Sequence, residues 1–259
     1  MTRTQYGSSS KLAARANLHS KYTITETPWF DWVAGQLPLE PDQAILDIGC
    51  GPGWFWASVP EFLPSGLALT LANQSSGMVE EALDNCQSAP FAKIEGRAAE
   101  VSAMPFEDGT FDGVLAMHML YHASDPAKAI AECHRVLKPG GWFAATTNGA
   151  GNIKALYELA RSVGGSGTEP VAAVFGFDHA HQLITRTFGT VRNHVHDARL
   201  RITDPEDVFL ALTSFLPGET ASEQQRKIFR TDLETAFAEN GGVLEVGKQM
   251  GLFLGHKPV

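Results

Sequence analysis

The chain has 259 residues, 44% of them hydrophobic and 19% charged, with a formal net charge of −9. These figures exclude a disordered chain, which could not bury enough apolar surface. They also exclude a small domain held by disulfides or metal, because a chain this long buries about three quarters of its unfolded surface. Lysine and arginine never cluster beyond a pair, so no phosphate-neutralising face for nucleic acid is expected. Cys50, Cys86 and Cys133 lack CxxC spacing, which points away from a disulfide framework or zinc site and towards a reducing compartment. The first twenty residues are polar, unlike a signal peptide, and no apolar run reaches the roughly 18 residues of a membrane span. A cytoplasmic location is the expectation, and monomer and homodimer stay open.

Residues 1–41 read as a helical preface: Lys11 to Leu18 is one short helix, and Trp29, Phe30, Trp32, Val33 and Leu37 recur at helical spacing before Pro38. From residue 42 strands alternate with helices. Ala44 to Ile48, Gly66 to Ala72, Phe91 to Glu95, Thr110 to Met117 and Trp142 to Thr147 read as strands. Trp54 to Val59, Gly77 to Cys86 and Pro126 to Leu137 read as helices, the last stopped by Lys138-Pro139-Gly140-Gly141. This alternation predicts βαβ units and a mostly parallel sheet.

Beyond Asn148 the pattern loosens. Ile153 to Val163 and Asp178 to Phe188 are helical, Gly164 to Thr168 is a flexible stretch, and Thr190 to Ile202 reads as one strand. Asp204 to Phe215 and Ser222 to Asn240 open with helix-start signals, and Val243 to Lys257 reads as paired strands around Gly251. The expected organisation is a single domain: a cap over 1–41, a core over 42–149, a cap or insertion over 150–220, and a closing helix with edge strands over 221–259.

The strongest local signal is Ile45-Leu46-Asp47-Ile48-Gly49-Cys50-Gly51-Pro52-Gly53, a strand entering a glycine turn and then a helix. Glycine lets backbone approach a ligand closely, and the helix start offers unpaired N–H groups. Three spaced glycines alone are weak evidence, and a purely structural turn is the lesser alternative. The bulky Trp54-Phe55-Trp56 run is hard to reconcile with a pyrophosphate, which favours a ligand without one. About 20 residues on, where an acidic residue would hold ribose hydroxyls, stands Asn73, with one carbonyl acceptor and an NH2 group.

Four ordered segments then carry a resemblance: 46–53, 69–82, 99–122 and 134–149, the last two with Met-Pro-Phe…Gly-x-Phe-Asp and Leu-Lys-Pro-Gly-Gly. Together they resemble the class I S-adenosylmethionine-dependent methyltransferases, and more narrowly the Leu18-His19-Ser20-Lys21-Tyr22 preface and Ala145-Thr146-Thr147-Asn148-Gly149 resemble a bacterial small-molecule subgroup. The resemblance implies a Rossmann-like α/β fold: a seven-stranded, mostly parallel sheet with an antiparallel last strand and a helical cap. It implies S-adenosylmethionine as cofactor, with Asp47, Gly49 and Gly51 lining its methionine and ribose part. Asn73 would meet the ribose, Gln74 and Met78 the adenosine, and Glu100 with the Val101 backbone the adenine. The Met117 backbone would lie near the methionine ammonium, and Tyr22 would close over the sulfonium. Asn73 stands where the family usually has Asp or Glu, and Met117 where this group tends to have a polar residue.

His118 and His122 stand four apart without a third ligand or an HExxH glutamate, so no metal site is expected. They follow the fourth core strand, where the resemblance places the methyl group, and a neutral imidazole there suits a general base. The turn expected at Met119-Leu120-Tyr121 puts His122 slightly ahead of His118. His179, His181, His194 and His196 read as surface or core histidines. Trp29, Phe30 and Trp54 to Trp56 are candidates for an aromatic substrate wall, though core packing is the commoner use of such residues. The function expected is methyl transfer to a small-molecule N, O or C nucleophile. The alternatives are a cofactor-binding relative with non-methylating chemistry and a non-catalytic partner subunit.

Overall fold

The computed structural model describes residues 10–259. The polar first residues, on which the cytoplasmic expectation partly rests, lie outside that range. Contacts gather into two compact units, each assembled from separated stretches of chain. The larger comprises residues 27–147, 174–196 and 251–259, and the smaller comprises residues up to Glu26, 148–173 and 197–250.

In chain order the elements begin with α1 (Ser10–Tyr22), β1 (Thr23–Ile24), α2 (Trp29–Ala34), β2 (Ala44–Ile48) and α3 (Trp54–Ser58). They continue with β3 (Ala68–Asn73), α4 (Ser76–Cys86), β4 (Lys93–Ala98), β5 (Phe111–Met117), α5 (Pro126–Val136) and β6 (Leu137–Asn148). The remainder are α6 (Lys154–Leu159), α7 (Ala172–Phe175), α8 (Phe177–Phe188), β7 (Val191–His196), β8 (Arg199–Ile202), α9 (Pro205–Leu212), α10 (Glu223–Glu239), β9 (Leu244–Gly247) and β10 (Met250–His256).

The larger unit is built on a seven-stranded sheet of order β4-β3-β2-β5-β6-β10-β7. β2 pairs in parallel with β3 and β5, and β3 with β4 and β5 with β6 are parallel too. β10 runs against β6: Lys257 bonds Gly140 and Gly141 at one end, while Gln249 bonds Gly149 at the other. Alternation along each strand sends neighbours to opposite faces. Ile45, Leu69, Leu71 and Leu115 pack on one side with Trp56 and Leu252, while Leu46, Ile48, Val114 and Ala116 pack on the other with Ile130 and Phe143. Both faces are therefore covered, as the unbroken apolar strands require. The order reverses between β2 and β5, and such switch points open a ligand crevice at the carboxyl ends of the strands.

The smaller unit holds a three-stranded sheet, β1-β8-β9, with β8 antiparallel to both neighbours. Its core joins Leu200, Ile202, Leu244 and Val246 to Val208, Phe229 and Leu233. α10 begins with a full capping box, in which Ser222 and Gln225 satisfy each other's backbone N–H groups.

Three expectations are corrected. Residues 190–202 are two strands in different sheets, broken at Asp197-Ala198, because Leu200 and Ile202 bury into the smaller core. Residues 243–257 do not pair with each other: β9 joins the small sheet and β10 the large one. Lys138-Pro139-Gly140-Gly141 lies inside β6, where the register with β5 shifts, and not in a helix-stopping turn. Among the described residues no helix is long and apolar enough to cross a membrane.

Arg135 on α5 ties down the loop after β4. Its guanidinium donates to the carbonyls of Met104 (3.1 Å) and Phe106 (2.8 Å) and to the carboxylates of Glu132 and Asp108. Replacing Arg135 by Ala leaves those carbonyls without a charged donor. It should lower unfolding free energy by about 2 kcal/mol in urea titration, with an unchanged m-value.

Candidate active site

Because β2, β3, β4 and β5 are parallel, their carboxyl ends share one edge of the large sheet. That edge gathers Asp47 and the glycine turn after β2, Asn73 and Gln74 after β3, Glu100 and Val101 after β4, and Met117 and His118 after β5.

Asp47 is 2% exposed. Its Oδ2 accepts a hydrogen bond from the indole Nε1 of Trp56 at 2.8 Å, while Oδ1 is buried with no partner among the described residues. Burial pushes the carboxyl up to about 7, and the Trp56 bond pulls only partly against it. A buried acceptor atom without a donor is what a donor-bearing ligand would complete.

The turn that follows is left-handed at all three glycines, with φ of 78° at Gly49, 54° at Gly51 and 75° at Gly53. Their surroundings differ. A Cβ at Gly53 would lie 3.0 Å from the Ala82 backbone, so this glycine lets the turn pack on α4. A Cβ at Gly49 would meet the Met119 side chain at 2.7 Å, whereas Gly51 has nothing within 4 Å. Gly51 is the position where backbone stands open to a ligand.

Asn73 closes β3, and its Oδ1 accepts from the Ser75 backbone N–H at 3.0 Å. Ser75 in turn caps α4 through Met78 N–H. With its carbonyl oxygen already engaged there, Asn73 has its NH2 donor left to offer a ligand. Gln74 is exposed and Met78 buried. Glu100 is exposed and its carboxylate accepts from Ser102 N–H at 3.0 Å, with Val101 buried between them.

His118 adopts a positive φ of 47°, a strained conformation for a side-chain-bearing residue. Its N–H is held by both the carbonyl (3.2 Å) and the hydroxyl (3.1 Å) of Thr146 on β6. Its half-buried ring lies 5.5 Å from that of Trp29, which stacks on Trp32 at 5.4 Å. His196 is buried beside both tryptophans and bonds the Thr27 carbonyl at 2.9 Å. His122 ends a short 3-10 turn over 120–122 and is exposed, with its ring 4.5 Å from Tyr121. Among the described residues no group of three or more His, Cys, Asp or Glu is placed to hold a metal ion.

Tyr22 belongs to the smaller unit, where its hydroxyl donates to Asp207 at 2.7 Å. Phe55 and Trp56 pack in the core, so they do not form an exposed aromatic wall. The sequence also hid two supporting residues. Trp56 as donor to Asp47 had only its place nine positions on as a signal, and Thr146 had none.

A methyltransferase-domain family matches residues 46–145, the stretch that carries β2 to β6 and this edge. The chain is 35% identical over 111 residues to a sterol 4-C-methyltransferase of Caenorhabditis elegans, covering 43% of this chain and 33% of that protein. It is 34% identical over 119 residues to a ubiquinone biosynthesis O-methyltransferase of Burkholderia thailandensis, covering 46% and 50%. The matched segment thus spans half or less of the length of these curated relatives. In fold it is similar to a phosphoethanolamine N-methyltransferase of Haemonchus contortus in complex with S-adenosylhomocysteine, with a TM-score of 0.59. That likeness has 19% identity and covers 99% of this chain and 59% of the other. Residues 46–145 are thus similar to methyltransferase domains, and the fold is one that solved methyltransferases share.

Asp47 sets a pH dependence. Its folded value near 7 lies above the roughly 3.9 of an unfolded Asp, so between these the folded state holds a proton that the unfolded state has lost. Stability should therefore fall as pH rises from about 4 to about 7. Asp47→Asn, which cannot titrate, should remove that slope in chemical denaturation followed across the window.

Proposed function

We propose that this chain binds S-adenosylmethionine at the carboxyl edge of the large sheet and transfers its methyl group to a small-molecule nucleophile. The observation that carries this reading is the buried, half-satisfied Asp47 carboxylate beside the open Gly51 turn at the switch point of the sheet. The cofactor supplies a methyl group already activated on a positively charged sulfur. The chain's task is then alignment and water exclusion, which dominate such transfers.

In this reading Asp47 Oδ1 accepts from the cofactor's hydrogen-bond donors, Gly51 admits its backbone-close portion, and Asn73 meets the ribose. Met78 and Val101 supply apolar surface to the adenine, Glu100 its polar contact, and the Met117 backbone the amino-acid end. His118, held against Trp29 at the end of β5, is placed to take a proton from the nucleophile ahead of the exposed His122. The relatives' names span carbon, oxygen and nitrogen methylation, so the acceptor atom is left unassigned. Asn73 in place of a carboxylate is what favours a second reading, cofactor binding with non-methylating chemistry. Release of S-adenosylhomocysteine on turnover separates the two.

Isothermal calorimetry should show S-adenosylmethionine or S-adenosylhomocysteine binding with a micromolar Kd, about −8 kcal/mol. No heat and no thermal shift at millimolar ligand would sink the assignment. Asn73→Asp should tighten binding several-fold to about tenfold, because a charged acceptor bonds a hydroxyl more strongly than a neutral amide. It would also keep the Ser75 contact at the start of α4, where negative charge is favourable.

For the chemical step, His118→Ala should slow single-turnover methyl transfer by about 10²–10⁴ while leaving cofactor affinity nearly unchanged. Variants at His118 and His122 that both keep more than half the wild-type rate would leave alignment alone as the mechanism.

A further inference from the structure

A buried carboxylate in the smaller unit plays no part in the reading above. Glu169 is 3% exposed and sits in the glycine-rich stretch 164–170. Its Oε2 accepts from the side-chain amides of Asn152 (2.7 Å) and Asn148 (3.0 Å), and its Oε1 from the Tyr157 hydroxyl (3.2 Å). Burial raises its pKa while these donors act in the opposite direction. A buried carboxyl group bonded by three side-chain donors is a fastening, and it pins a stretch that is otherwise short of apolar anchors.

That stretch roofs a cavity of about 220 Å³. Tyr157, Ala160 and Val163 form one wall, and Leu212, Phe215 and Pro217 the other. No charged side chain lines it. Ser166 and Thr168, the hydroxyls at its roof, bond each other at 3.1 Å. The Tyr157 hydroxyl is held by Glu169, and the residue lines the cavity. An ionic ligand would find no counter-charge here. The volume is below the roughly 300 Å³ at which drug-sized sites begin, which limits the occupant to one or two rings.

We propose that this cavity binds a small, uncharged, ring-sized apolar molecule beneath a glycine-rich roof that Glu169 fastens through Tyr157. The site lies wholly within the smaller unit and does not depend on methyl transfer. Tyr157 couples the two halves, because one face of its ring touches the occupant while its hydroxyl holds the fastening.

Indole and benzoate test this as neutral and charged probes of similar size, with binding to the full chain followed by NMR. Indole should bind with a sub-millimolar Kd and benzoate at least tenfold more weakly. Ala160→Leu, which fills the cavity, should abolish indole binding. Tyr157→Phe, which keeps the ring and removes the hydroxyl, should weaken it about three- to tenfold with the fold intact by circular dichroism. No indole binding at millimolar concentration overturns the proposal, as does equal binding of benzoate. So does indole affinity unchanged in Ala160→Leu or, where that variant does not fold, in Tyr157→Phe.

Discussion

A carboxylate buried at the end of the central strand is the constraint around which the larger unit is arranged. Asp47 cannot be left unpaired there, because an ionised group in so dry a place costs several kcal/mol without donors. Trp56 meets one oxygen, and to do so α3 must start immediately after the glycine turn and fold back over β2. The left-handed glycines follow from that geometry, since no side chain fits where Gly53 meets α4. One oxygen remains, and a ligand with a donor is the natural completion.

The parallel sheet does the rest of the positioning. Register between β2, β3 and β5 brings three strand ends to one edge, so residues distant in sequence become neighbours without any loop reaching far. His118 illustrates how rigidly this edge is built. Its strained backbone is held by two bonds to Thr146 on the adjacent strand and its ring by Trp29, a degree of support expected where orientation matters.

The smaller unit solves a different problem with different means. Its own core of aliphatic and aromatic residues stabilises a three-stranded sheet and its helices, and a single buried carboxylate fastens a segment too glycine-rich to bury itself. The two units therefore use a buried carboxyl group in opposite ways. Asp47 is left half-satisfied, whereas Glu169 is saturated with donors.

By itself the sequence determined the βαβ core and the glycine turn, since apolar period and glycine spacing are local properties of the chain, while the family resemblance implied the strand-end residues from Asp47 to Met117. The helix boundaries followed for the same reason: capping signals such as Ser222 and Asp125 act within a few residues. Only the tertiary structure decided that residues 190–202 and 243–257 divide between two sheets, because strand pairing is chosen by which core each apolar residue enters. Periodicity is silent on that choice. It decided too that Trp56 is a partner for Asp47 and not a substrate wall, and that Tyr22 bonds Asp207. Hydrogen bonds between residues far apart in sequence leave no spacing to read, and neither does the burial that turns Glu169 from a loop residue into a fastening.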